Sequence, residues 1–149
     1  MKNLKNLSIP SYLLPIAAVA YVIAMIIAIV SCTGEGFGMA NLPWVAVLTV
    51  AAVLLCGGAL LLASKRGDKT LSSLSVILMV AALSACVYLM IYGKADVFGT
   101  VIFSDLEKGY APAERASGLG LTSIIFYLVS LALVMVASFF RLNKKAENQ

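Results

Sequence analysis

Apolar residues fall along this chain in four long blocks, separated by short polar or glycine-rich stretches. The blocks are Tyr12 to Val30, Pro43 to Ala63, Leu71 to Tyr92 and Leu119 to Phe140, and none of them contains Asp, Glu, Lys or Arg. A helix needs about 20 apolar residues at 1.5 Å each to cross roughly 30 Å of hydrocarbon. The pattern therefore predicts an all-α integral membrane protein in which residues 1–149 form one membrane domain. The expected architecture is an antiparallel bundle of four transmembrane helices over 12–30, 43–63, 71–92 and 119–140. Outer loops are expected at 31–42 and at 93–118, the second being the longer, with an inner loop at 64–70 and an inner tail at 141–149.

Residues at the block ends agree with that division. Pro43 suits the first turn of a helix, and Trp44 beside it suits the membrane interface. Tyr12, Tyr88, Tyr92, Phe139 and Phe140 sit near other ends. Lys2, Lys5, Lys65, Arg66, Lys69, Arg141, Lys144 and Lys145 all fall on one side if both termini are inside. The outer side then holds Lys94, Lys108 and Arg115, together with Glu35, Asp96, Asp105, Glu107 and Glu114. Basic residues flank spans on the cytoplasmic side, so the expected orientation is N-in and C-in.

Small residues mark where helices approach one another in lipid, because apolar contact alone gives little there. The first block offers Ala17, Ala20, Ala24, Ala28 and Ser31, and the second Thr49, Ala52, Cys56, Ala59 and Ala63. The third offers Ser75, Met79, Ala82 and Cys86, and the fourth Gly120, Ser123, Tyr127, Ser130, Val134 and Ala137. These steps of three and four favour left-handed packing. Gly57-Gly58 is read as a close helix crossing.

The first block ends in "IVSC", a small residue before Cys32 after an apolar run with a basic N-terminus. That ending resembles a bacterial lipoprotein signal, and it makes a bacterial cytoplasmic membrane the expected location. Two readings follow. Cys32 is either a lipidated new N-terminus or the outer end of a retained helix. A signal core spans about 7–15 residues, whereas this block is longer and carries a packing row, so the retained helix is expected.

Composition narrows the chemistry. The chain is 62% hydrophobic and 12% charged, against about 25% charged for a soluble domain. Its net charge of +4 is segregated by side rather than gathered into a surface for nucleic acid. Histidine is absent, which removes the commonest metal ligand and general base. Cys32, Cys56 and Cys86 form no CxxC pair, and Cys56 and Cys86 are expected to lie apart as small buried residues. No acid lies at membrane depth, as a proton- or cation-driven exchanger would keep. There is no phosphate-binding glycine loop. No catalytic residue, cofactor or metal is expected, and the chain is not expected to be an enzyme.

The loops carry what individuality remains. Between Gly93 and Gly118, the residues Val97, Phe98, Val101, Ile102 and Phe103 form an apolar stretch that no span requires. It can fold back as a lid, joined by Phe37 and Met39, or present a docking surface to another membrane or extracytoplasmic protein. Ser104-Asp105-Leu106-Glu107 has capping-box spacing, Pro112 suits a helix start, and Gly118 suits a stop or hinge before the fourth span. A short first outer loop with a longer second one is similar to the layout of tetraspan proteins such as tetraspanins. The Cys-Cys-Gly signature and paired loop cysteines of tetraspanins are missing, so the likeness is one of arrangement. The leading functional expectation is a non-enzymatic accessory or interaction protein, with the lipid bilayer as its constant partner. The alternatives are a small transporter or channel for a weakly polar solute, and an immunity-type protein against a membrane-acting toxin.

Overall fold

The computed structural model describes residues 12–33, 37–65, 69–103 and 109–139. The first long helix, α1, covers Leu13–Ser31, followed by α2 (Leu42–Lys65) and α3 (Lys69–Gly93). After Lys94 comes a short helix, α4 (Ala95–Phe98), which runs directly into a π-helical turn over Gly99–Phe103, and α5 covers Ala111–Phe139. No strand occurs among the described residues. Four of these helices are long and apolar enough to cross a membrane.

Helix ends match the apolar blocks at α1 and α2, where Pro43 takes its expected place in the first turn. They depart from them after α3. Residues 93–118 were expected to be a loop, yet the described part is mostly helical, and α5 begins at Ala111 rather than at Leu119. Hydropathy finds what lipid tolerates, whereas the stretch from Ala111 to Gly118 is polar but rich in helix formers. Its start is capped. Gly109 donates its N–H to Glu114 Oε1 (2.8 Å), and the N–H groups of Ala113 and Glu114 reach the Tyr110 carbonyl. Gly109 turns the chain with φ +88°, a left-handed conformation that glycine adopts without strain. Gly118 lies inside α5 and ends nothing. Ser104 to Lys108, Ala63, Phe140 and the N- and C-terminal segments lie outside the described residues or side chains.

The four long helices form a ring of neighbours in which α1 packs on α2 and α5, and α3 packs on α2 and α5. The interior rows are Leu14, Ala17, Tyr21, Ala24, Ala28 and Ser31 of α1, and Val45, Thr49, Ala52, Cys56 and Ala59 of α2. From α5 come Gly120, Ser123, Tyr127, Ser130, Val134 and Ala137. These three rows follow the small-residue pattern closely, although Ala20 is only half-buried. The α3 row does not follow it. Ser75 and Ala82 are half-buried, and the covered residues are Ser72, Val76, Met79, Leu83, Cys86 and Met90. The small residues of α1, α2 and α5 leave volume at the centre, and Val76, Met79, Leu83 and Met90 of α3 fill it together with Tyr21 and Tyr127, as dense packing requires.

Gly57 and Gly58 also depart from expectation. Gly57 is exposed and Gly58 half-buried, and a Cβ built on either would meet nothing within 4 Å. They do not form a close crossing within this chain. The outward faces are apolar, with Ile16, Val19, Ile26, Val47, Leu54, Leu61, Ile77 and Ile125 all exposed.

Candidate functional site

Lys94 joins the end of α3 to the end of α1 and to the segment leading into α2. This lysine follows the last residue of α3 and is fully buried. Its Nζ donates to the carbonyls of Ser31 (3.0 Å) and Phe37 (2.9 Å). A buried ammonium is tolerable only where it is hydrogen-bonded. The Ser31 carbonyl is a natural acceptor, because the last carbonyls of a helix lack intrahelical partners. One side chain thus fastens α3 to the end of α1 and to the segment leading into α2. Its stem runs past Gly120 of α5, where an added Cβ would lie 3.5 Å from both Lys94 Cγ and the Phe98 ring. Met39 completes the cap: it is buried, and an added Cβ at Gly93 would fall 2.9 Å from its Cε.

The apolar stretch from Val97 to Phe103 divides across this cap. Val97, Phe98 and Val101 are half-buried, and Phe98 packs against the core beside Gly120. Ile102 is 49% exposed and Phe103 83% exposed. The division runs through the π-helical turn itself, where Val101 is half-buried and the next two residues are exposed. Trp44, Tyr88, Tyr92 and Tyr110 are also exposed at this end, with the Tyr88 and Tyr92 rings stacked at 6.1 Å. Tyr12 and Phe139 are exposed at the opposite helix ends. Beside the cap, a cleft of about 380 Å³ opens between the end of α1 and the start of α5. It is lined in part by Val30, Thr33, Phe37, Pro112, Arg115 and Leu119. Cys32 is half-buried, and its N–H caps α1 by donating to the Ile29 carbonyl.

Deeper in, polar side chains act as fasteners. The Thr49 and Tyr127 hydroxyls share a hydrogen bond of 2.8 Å across the ring, while Thr49 also donates to the Val45 carbonyl. Cys86 Sγ lies 3.9 Å from Thr49 Oγ1, and the Tyr127 hydroxyl lies 3.6 Å from Met25 Sδ. Ser123 donates to Ala24 O, Tyr21 to Ala52 O and Ser72 to Ala59 O. Cys56 sits apart from this cluster, near the Leu14 carbonyl. Among the described residues no three acidic, cysteine or histidine side chains gather into a metal-binding group.

No protein-family model matches the chain. No curated protein matches its sequence, and no solved structure matches its fold. Lys94 is the residue of this cap that the sequence pattern hides, because it reads there as one more outer-loop charge. Its signal is its isolation: a lone lysine between Tyr88–Gly93 and the apolar run that starts at Val97.

Proposed function

We propose that this chain is a four-span protein of a bacterial cytoplasmic membrane that acts without catalysis, as an accessory or interaction subunit, through its capped outer end. The membrane reading is supported by the exposed apolar faces of four long helices and by aromatic side chains at both helix ends. The antiparallel bundle is supported by the contact order: Leu14 is near Cys56 and Tyr21 near Ala52, Ser72 is near Ala59, and Cys86 is near Val45. The segregation of Lys and Arg supports N-in and C-in, which makes the Lys94 end the outer one. Retention of α1 is supported by its share of the interior, since removing residues 1–31 would strip the partner surface from α5. Mass spectrometry finding a diacylated N-terminal Cys32 would overturn that retention.

The observation that carries the interaction reading is the split of the 97–103 stretch. Phe98 is anchored inward while Ile102 and Phe103 face out from a segment held in place by Lys94. The lid and docking readings then apply to different residues. Ile102→Ser with Phe103→Ser is expected to leave thermal stability unchanged and to abolish a discrete crosslink from a photoreactive residue placed at Tyr110. Phe98→Ser is expected to lower stability instead, since burying a large apolar side chain contributes roughly 1.5–3 kcal/mol. A double variant with unchanged crosslinks and unchanged cellular behaviour would remove the docking role.

A further inference from the structure

We propose that the cleft between the end of α1 and the start of α5 seats the phosphate headgroup of an anionic phospholipid, with Arg115 as its counter-ion. This rests on the membrane reading above. At about 380 Å³, the cleft is at the small end of ligand pockets, suited to a headgroup rather than a whole lipid. Its walls are apolar at Val30, Phe37, Pro112 and Leu119, and polar at Thr33 and Arg115. The same two helices continue away from it into exposed apolar side chains, Ile26 and Ile29 on α1 and Leu121 and Ile125 on α5. A lipid whose phosphate occupies the cleft can lay its acyl chains along those faces.

Charge selects the headgroup. The Arg115 side chain makes no hydrogen bond or ion pair with the described residues, and a guanidinium matches phosphate oxygens two at a time. A second cation lies behind the wall, because the carbonyls of Ser31 and Phe37, two residues lining the cleft, hold the buried Lys94 ammonium. The neighbouring acid, Glu114, accepts the Gly109 N–H. The cleft therefore combines a guanidinium on its wall and an ammonium behind it with an apolar exit toward the bilayer, a combination that fits the phosphate of an anionic lipid.

The test is native mass spectrometry of the full chain released from micelles doped equally with phosphatidylglycerol and phosphatidylcholine. Retention of phosphatidylglycerol in preference to phosphatidylcholine is expected, with Arg115→Gln lowering it about tenfold and Arg115→Lys restoring part of it. Millimolar inorganic phosphate is expected not to displace the lipid; displacement would show an anion site without lipid specificity and overturn the proposal. Equal retention of the two lipids, or an unchanged Arg115→Gln variant, would also overturn it. Carbonate washing of membranes separates this from the underlying reading: a chain that stays in the pellet keeps the membrane reading whatever the lipid result, and a chain released by carbonate ends both.

Discussion

Replacing Lys94 with Met removes the ammonium while keeping an unbranched apolar stem beside Gly120 and Phe98. The wild-type side chain makes two hydrogen bonds, at 3.0 and 2.9 Å, to main-chain carbonyls. A hydrogen bond to a charged group contributes about 1.5–3 kcal/mol net. The desolvation of a buried cation, several kcal/mol, opposes this and disappears in the variant. The Ser31 and Phe37 carbonyls lose their partner and regain water only if the cap opens. Together these terms give a loss of about 2 kcal/mol, less than the sum of the two bonds because the desolvation cost of the cation is removed with it.

The loss should be local, which makes it measurable apart from global unfolding. Cys32 is half-buried and adjoins Ser31, whereas Cys56 and Cys86 are buried in the interior. When reclosing is fast, labelling of Cys32 by an impermeant maleimide tracks the open population. At tenfold for each 1.4 kcal/mol, the rate in Lys94→Met should rise about 30-fold. Cys56 and Cys86 should stay unlabelled under the same conditions. A Cys32 rate within twofold of wild type, with an unchanged unfolding midpoint, would refute the argument that Lys94 holds the cap shut. Labelling of all three cysteines together would show that the side chain supports the whole fold rather than the cap.

Other substitutions test the interior and the surface. Tyr127→Phe removes the bond to Thr49, and detergent unfolding should show a loss of about 0.6 kcal/mol, the typical coupling for such bonds in membranes; a cycle with Thr49→Val should recover the same coupling. Gly57→Ala and Gly58→Ala should each raise stability by about 0.5–1 kcal/mol, because helix-interior glycine is unfavourable and nothing in this chain occupies the space. A clear loss in either glycine variant would mean that a second molecule fills that notch.

Much of the fold was legible because lipid imposes a coarse code. Charge-free blocks of about 20 residues mark spans, and small residues at steps of three and four marked the interior rows of α1, α2 and α5. That rule failed on α3 for a physical reason. Four small-residue rows meeting at one axis would leave a void, and Val76, Leu83 and Met90 are buried there instead of Ser75 and Ala82. Gly57-Gly58 failed for the opposite reason, since composition cannot distinguish a glycine that admits a neighbour from one that faces outward. The helical start of α5 escaped because hydropathy does not register polar helix. Lys94 escaped because its acceptors are main-chain carbonyls of Ser31 and Phe37, distant in sequence and independent of side-chain identity.

The buried lysine and the outward aromatic bear on each other. A side chain on a loose loop must be ordered when it binds, and that ordering subtracts from affinity. Here the segment bearing Ile102 and Phe103 begins immediately after a residue bonded to two other parts of the chain, and Phe98 anchors it against α5. If the segment is a recognition surface, the order it needs is therefore supplied by the fold before a partner arrives. The cap explains why a cation is retained where an apolar residue would incur no desolvation cost. A methionine could fill the same space, but it could not fix the end of α1, the segment before α2 and the start of α4 relative to one another. If the outer end recognises a partner, Lys94→Met should weaken that contact even though Lys94 is fully buried and cannot touch the partner itself.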